Sequence, residues 1–345
     1  MRSSPRPLAL LAALVAPLLL GLCAGCDSWS ASTDTGHAAG KLESVSLLHL
    51  MVGATKKVEF QGVRRYEAYW NGGSGPQSLV YRETVSADGT GQFAIEPQEL
   101  IQPALPPAQT AQFLLLQKVR EGLSFRYRDF EIRDIDTFAA NYTAIFTGQK
   151  VTVAGRQAER LMIQRRDPTD RRFVVDVDPD NGLVLRAREE LSDGTLVALS
   201  EFESLDLSPD LSGVVFHQSV SGEQTLPPGS ALTSQNLGFQ PSTPRQVPAG
   251  WRLIEVAKLV DPIDDRPWAK LVYSDGVELC FFVVAAPGQP TFHVQPGPPP
   301  DAYHVRSLAI GPWTVLQGEI AGRDVVVMGK QDGQVLADLI RSAFP

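Results

Sequence analysis

Residues 150 to 207 constrain the fold more than any other part of the sequence. Apolar and polar residues alternate there in four runs, which are separated by turns at 167–170, Asp180-Asn181-Gly182 and Asp193-Gly194. Asn-Gly and Asp-Gly pairs favour tight hairpins because they accept positive φ angles. Alternation with a period of two is typical of strands with one apolar and one polar face. We therefore predict an antiparallel meander with one face in water and an apolar face that other elements must cover.

The N-terminus has the layout of an export signal. Basic residues precede an apolar run from Leu8 to Cys23, which is too short for a comfortable membrane span and contains Pro17. The small pair Ala24-Gly25 directly before Cys26 resembles a bacterial lipobox, so Cys26 is the predicted lipid attachment site. The alternative is plain cleavage, which would leave a free thiol. Acylation would anchor the protein firmly to a membrane.

Composition shifts divide the rest of the chain. Six prolines and many Ser, Gly and Gln residues between 208 and 250 predict a linker. The predicted segments are a lipoprotein-type signal peptide (1–25), a flexible tether (26–40), an N-terminal domain (41–207), the linker (208–247) and a C-terminal domain (248–345).

Charge and cysteine content limit the partners and the sources of stability. The 345 residues are 43% hydrophobic and 20% charged, with a formal net charge of −8. Without the leader, 29 basic residues stand against 39 acidic ones, a balance of −10 that disfavours nucleic acid and anionic membrane surfaces. The body keeps one cysteine, Cys280, so no disulfide can form within it, and the fold must depend on its core.

The motifs that mark enzymes are missing from this sequence. The five histidines include no pair at the short spacings of a metal site, and there is no nucleophile elbow, Walker loop or dinucleotide glycine motif. We predict no catalytic residue, no metal and no cofactor, so binding is the default function.

Pairs of like-charged residues in the strands do not indicate a catalytic site. Asp176 with Asp178 and Glu189 with Glu190 are interpreted as solvated faces rather than acid/base machinery. Paired arginines are interpreted as polar-face residues of a wet sheet, with a site for an acidic partner as the less favoured alternative. These arginine pairs are Arg64-Arg65, Arg165-Arg166 and Arg171-Arg172.

A strongly apolar helix is predicted at 109–121. Phe113, Leu116 and Val119 form one stripe with Leu115 beside it, a pattern that favours burial over much of the helix circumference. We predict that this helix is the lid or plug of the sheet and that these four side chains line an apolar cleft.

Two sets of motifs resemble one known family. The run from Ala154-Gly155-Arg156 through Gly182-Leu183-Val184-Leu185-Arg186 to Phe202 resembles the N-terminal domain of the sigma-E regulatory family, RseB/MucB. Pro248-x-Gly250-Trp251, followed by Tyr273-Ser274-Asp275-Gly276, resembles the C-terminal domain of that family. The resemblance spans roughly residues 42 to 344.

The resemblance implies a fold and a function. The fold would be α+β: an antiparallel open half-barrel wrapped on helices, as in LolA and LolB, plus a smaller C-terminal α+β domain. The function would be non-enzymatic binding of the periplasmic segment of an anti-sigma factor, released by lipid or lipoprotein signals. Trp251, Tyr273 and Trp313 become candidate partner contacts, and the protein would be a membrane-anchored lipoprotein of the periplasm. The alternative is a carrier of lipid or lipoprotein.

Overall fold

The computed structural model describes residues 40–72, 75–119, 128–167, 170–216, 223–227, 230, 232–260, 266–288, 304–310 and 313–344. The chain divides into two compact units near residue 218. Within the described ranges, no helix combines the length and apolar content that crossing a bilayer requires.

The described residues of the first unit form four helical segments and eight strands. The helical segments are α1 (Gly40–Met51), a 3-10 turn (Ala54–Lys56), α2 (Pro107–Val119) and α3 (Ile135–Asn141). The strands are β1 (Glu59–Gly72), β2 (Gly75–Asp88), β3 (Phe93–Gln102), β4 (Tyr142–Val153), β5 (Arg156–Arg165), β6 (Arg171–Val177), β7 (Val184–Leu191) and β8 (Leu196–Asp206).

The eight strands form one antiparallel sheet in the order β3-β2-β1-β8-β7-β6-β5-β4. Strand β4 also contacts β8, although three strands separate the two in the sheet, so the sheet curls on itself. The two edges, β3 and β4, do not pair with each other. The predicted fold class, an α+β protein with an open antiparallel half-barrel, is confirmed.

The predicted meander is present as β5 to β8. Gly182 and Gly194 have φ angles of 77° and 88° in the turns after β6 and β7, as the Asn-Gly and Asp-Gly pairs predict. Pro168 and Thr169 of the other predicted turn lie outside the described residues. The face of the sheet that carries the apolar core includes Phe60, Leu185 and other buried side chains, and we call it the core face.

The opposite face, which we call the outer face, corrects one sequence interpretation. Asp176 and Glu190 are not solvated, because Asp176 is only 1% exposed and Glu190 only 4%. Asp178 and Glu189, the other members of the two acidic pairs, are also buried, at 1% and 4% exposed. Arg160 and Arg186 bind Asp176, while Arg172 binds Glu190. Long arginine side chains therefore lie over the carboxylates, a cover that a simple alternation of polar residues does not predict.

Helix α1 packs on the turn between β6 and β7. Leu47 and Met51 of α1 are buried. A Cβ at Gly182 would lie 2.5 Å from the carbonyl oxygen of Leu50 and 2.6 Å from the amide nitrogen of Met51, with the Leu50 carbonyl carbon closer still. Position 182 therefore requires glycine for two reasons: its φ angle is positive, and a side chain there would overlap the backbone of α1.

The second unit is a seven-stranded antiparallel sheet with one long helix. Its strands are β9 (Glu223–Thr225), β10 (Arg252–Val260), β11 (Pro267–Ser274), β12 (Leu279–Ala285), β13 (His304–Ile310), β14 (Trp313–Ile320) and β15 (Arg323–Gly329), in the order β13-β14-β15-β12-β11-β10-β9. The short α4 (Ser234–Leu237) precedes β10, and α5 (Gly333–Ala343) closes the unit. Leu336, Leu339 and Ile340 of α5 are buried in the core, as the sequence periodicity predicts.

Candidate functional site

Aromatic side chains gather on the core face where β1 and β2 approach their hairpin. Tyr66 and Tyr81 lie opposite each other in the register, and their ring centroids are 5.4 Å apart. Phe113 of α2 meets Tyr81 edge-on at 5.7 Å. Trp70, Leu79 and Leu100 are half-buried around this group. Aromatic residues brought together in this way create an apolar patch that remains partly open at the end of the sheet.

A buried cluster of four charges borders the aromatic group. Arg64 Nε donates to Glu83 Oε1 at 2.6 Å, and Arg64 Nη1 lies 2.7 Å from Asp129 Oδ2. Arg128 Nη1 donates to Glu83 Oε2 at 3.1 Å and also to the hydroxyl of Tyr81. Arg128 Nε lies 3.0 Å from Asp129 Oδ1. The segment that contains Arg128 and Asp129 is thereby held on the core face of the sheet.

The guanidinium of Arg128 also covers an aromatic ring. Its central carbon lies 4.5 Å from the centroid of Tyr66, a cation–π distance. Two residues after Arg128, Phe130 packs on Phe173 of β6, and the ring centroids are 5.2 Å apart. Residues 128–130 therefore contact strands β1 and β2 in one part of the sheet and strand β6 in another.

The cluster shifts the ionisation of its members. Burial alone would raise the pKa of Glu83, but the positive charges of Arg128 and Arg64 outweigh it and lower the pKa to about 2. Burial alone would lower the pKa of Arg128, but Asp129 and Glu83 raise it well above its ordinary value. Burial raises the pKa of Tyr81, so its hydroxyl stays protonated and can accept the hydrogen bond from Arg128. Glu83 and Arg128 are therefore both charged at neutral pH.

The structure places two of the four predicted cleft residues. Phe113 is half-buried against Tyr81, but Leu115 is 64% exposed. The side chains of Leu116 and Val119 lie outside the described residues. The expectation that this helix is buried on much of its circumference is wrong, because α2 packs along β3 at the edge of the sheet and leaves one flank in solvent. That four-residue apolar lining stays a prediction.

Trp251, Tyr273 and Trp313 occupy two different environments. Trp251 and Tyr273 are buried in the core of the second unit, and burial raises the pKa of Tyr273. Trp313 is half-buried at the start of β14, where its ring lies 5.9 Å from Phe281 and 5.9 Å from Lys330 Nζ. Their role as partner contacts also stays a prediction, and Trp313 offers a partner more surface than the other two.

Other predicted site features concern single residues. Cys26 lies outside the described residues. Cys280 is a buried thiol whose pKa burial raises to about 12, which agrees with its interpretation as a core residue. In the described part of the chain, no three His, Cys, Asp or Glu side chains are grouped so as to hold a metal ion.

Sequence reasoning missed the residues that bind the 128–134 segment to the sheet. The sequence predicts Arg64 only as one of a pair of polar-face arginines, and it predicts neither Glu83 nor Arg128 as a site residue. Their signal in the sequence is weak: Glu83 falls on the apolar side of β2 between Tyr81 and Val85, where a carboxylate needs a buried partner. That position alone marks an internal ion pair, but it does not identify the arginine.

Comparisons with known proteins agree with this fold. Residues 109–220 match the family model of the MucB/RseB N-terminal domain. A crystal structure of MucB aligns with a TM-score of 0.50 and 18% sequence identity, covering 88% of this chain and 98% of MucB. The complex of MucA and MucB from Pseudomonas aeruginosa aligns with a TM-score of 0.48 and 18% identity, covering 88% of this chain and 97% of that one. No curated protein matches the sequence. The resemblance that the sequence motifs indicate is confirmed over residues 109–220.

Proposed function

We propose that this protein is a non-enzymatic regulator of the cell envelope that binds the periplasmic segment of a membrane-spanning anti-sigma factor. The observation that carries the proposal is the match of residues 109–220 to the MucB/RseB N-terminal domain. The shared fold with MucB supports it. MucB itself has been crystallised with MucA. By binding such a segment, the protein would shield it from the proteases that release the sigma factor.

The aromatic patch is the proposed contact surface. Phe113, Trp70 and Leu100 are half-buried around Tyr66 and Tyr81, and a partner that covers these residues would gain apolar burial. The proposal also keeps the predicted division into a half-barrel domain (41–207) and a C-terminal domain (248–345).

Co-purification of the mature protein with an anti-sigma periplasmic segment tests this function. We expect a complex that survives gel filtration at physiological salt, and we expect Leu100→Glu, within the aromatic patch, to weaken it about tenfold or more, since a buried charge replaces apolar contact. Val215→Glu, at a side chain 75% exposed outside the patch, is the control and should bind normally. Absence of a complex with any anti-sigma segment from the same genome would rule the proposal out.

Membrane attachment through Cys26 is a separate part of the proposal. We expect cells fed an alkyne fatty acid to label the wild-type protein, and Cys26→Ser to abolish labelling and release the protein into the soluble periplasmic fraction. A labelled Cys26→Ser protein, or an unlabelled wild type, would contradict acylation at this residue.

The half-buried apolar side chains of Trp70, Leu100 and Phe113 also favour a second candidate function, the binding of lipid or lipoprotein acyl chains. Native mass spectrometry of gently purified protein would then show bound acyl chains. A protein that purifies without lipid and does not take up a fluorescent fatty acid would exclude this candidate.

A further inference from the structure

The outer face of the first unit carries two arginine pairs that are arranged alike. The two arginines of each pair form ion pairs with the same buried carboxylate. In the first, which we call the Glu190 fork, Arg172 Nη2 lies 2.9 Å from Glu190 Oε2, and Arg188 Nη2 lies 2.8 Å from Glu190 Oε1. Two guanidinium groups share one carboxylate, so the fork has a surplus positive charge.

The second pair, the Asp176 fork, lies on the same face. Arg160 Nε donates to Asp176 Oδ1 at 2.7 Å, and Arg186 Nε donates to Asp176 Oδ2 at 2.5 Å. Arg186 Nη1 also reaches Glu201 at 3.1 Å. The cross-strand register places Arg160, Asp176 and Arg186 side by side on β5, β6 and β7.

An apolar row crosses β4, β5 and β6 between the levels of Arg172 and Asp176, and Arg188 of the Glu190 fork continues this row on β7, opposite Val174. Val174 lies midway along β6 between Arg172 and Asp176, with Met162 opposite it on β5 and Ile145 beyond that on β4. Ile145 is largely exposed, and the other two are half-buried. Since side chains on one face of a strand repeat at about 6.6 Å, Val174 lies about 6.6 Å along β6 from Arg172 and from Asp176.

The buried carboxylates fix the arginines in place from beneath. Asp176 and Glu190 are almost inaccessible, while all four arginine side chains are partly exposed above them. Guanidinium groups held in this way lose little further freedom on binding and match carboxylates in geometry. A surface with guanidinium groups on both sides of a short apolar row is therefore already organised for a partner with carboxylates on both sides of an apolar side chain.

We propose that this outer face is a docking surface for an extended acidic peptide segment with acidic, apolar and acidic side chains at alternate positions. Such a segment, running along β6, presents side chains toward the sheet every second residue, at the same spacing of about 6.6 Å. Its two carboxylates bind the two forks, and its apolar side chain covers Val174 and Met162. The surface lies on the face opposite the aromatic patch, and its use does not depend on the anti-sigma partner.

The test uses fluorescence anisotropy with the mature chain and two labelled peptides. One carries Glu at positions 1 and 5 and Leu at position 3 among serines, and the other has Gln in place of Glu. The variant Arg160→Gln/Arg188→Gln removes one arginine from each fork and leaves Arg186 on Asp176 and Arg172 on Glu190, so no buried carboxylate loses its last partner. The control Arg82→Gln/Arg341→Gln removes the same total charge at partly exposed arginines away from the forks.

We expect the Glu peptide to bind the wild type and the control alike, and the fork variant to bind it at least tenfold more weakly. The Gln peptide should bind at least tenfold more weakly to the wild type, and added salt should weaken binding of the Glu peptide. Arg160→Lys/Arg188→Lys keeps the charge without the planar fork, and intermediate affinity is expected. Unchanged melting temperatures will show that the variants fold.

Three results would overturn the proposal. They are equal binding of the Glu peptide to the fork variant and the wild type, equal binding of the Gln and Glu peptides, and no binding of the Glu peptide at millimolar concentration. Fork-dependent capture of vesicles with anionic lipids, or of inorganic phosphate, in place of the peptide would equally contradict it.

Discussion

Replacing Glu83 with glutamine is expected to lower the free energy of unfolding of the first unit by about 3 to 5 kcal/mol. Glu83 is 1% exposed and is the carboxylate that Arg64 and Arg128 share. Without it, the guanidinium groups of Arg64 and Arg128 must share one carboxylate of the cluster, that of Asp129. Urea unfolding of the full chain, followed by circular dichroism at pH 7, measures the loss.

The dependence on pH follows from the pKa of Glu83. Because the folded pKa, about 2, is below the ordinary value of 4.5, this carboxylate stabilises the fold fully above about pH 4.5. The stabilisation, on the order of 3 kcal/mol, is lost as the pH falls from 4.5 toward 2. The difference in unfolding free energy between the wild type and Glu83→Gln should therefore shrink across this interval.

Glu99→Gln is the control for this prediction. Glu99 pairs with Arg82 at 2.7 Å, but both side chains are well exposed, so we expect a loss of less than about 1 kcal/mol. If Glu83→Gln costs no more than Glu99→Gln, or if its effect is the same at pH 3 and pH 7, the charged cluster does not hold the 128–134 segment as described.

Gly182→Ala is expected to destabilise the first unit by about 3 kcal/mol or more. Position 182 has a φ of 77°, and the added methyl group would overlap the backbone of Leu50 and Met51. The methyl group cannot be accommodated by a side-chain rotation, because it meets main-chain atoms, so α1 must move away. Thermal melting of the full chain measures the loss, and amide hydrogen exchange should show faster exchange in α1 itself.

Gly155→Ala provides a matched control because Gly155 has a φ of 76° and nothing lies within 4 Å of the added Cβ. It carries the same backbone strain without the close approach, and we expect a loss of about 1 kcal/mol. Equal losses for the two variants would show that α1 does not depend on position 182.

The parts of the fold that the sequence predicts are those with strong local patterns. The turns at Gly182 and Gly194 and the alternating strands β5 to β8 follow from residues next to one another in the chain. So does α5, whose buried residues recur with helical spacing. In each case, one surface of the element is apolar, and burial of that surface decides its orientation.

The parts that the sequence does not predict depend on contacts between distant residues. Strand β13 (His304–Ile310) is not predicted from the sequence, because its polar residues break the apolar alternation. Arg128 and Glu83 are 45 positions apart, and only the folded sheet brings them together. The burial of Asp176 was mistaken for solvation, because alternation shows which face a residue takes but not whether Arg160 and Arg186 cover it. Long-range ion pairs therefore account for most of what was missed in the candidate sites.

The position of β8 beside β1 has a consequence for how fast the chain folds. All other neighbouring strands in the first sheet follow one another in sequence, but the pairing of Ala68 with Ala198 joins residues 130 positions apart. Two hairpin groups, β1 to β3 and β4 to β8, can form from local contacts, whereas their union must close a very long loop. We therefore expect a slow final step in refolding in which the two groups join, and a newly synthesised chain would leave the edges of both groups unprotected until that step is complete.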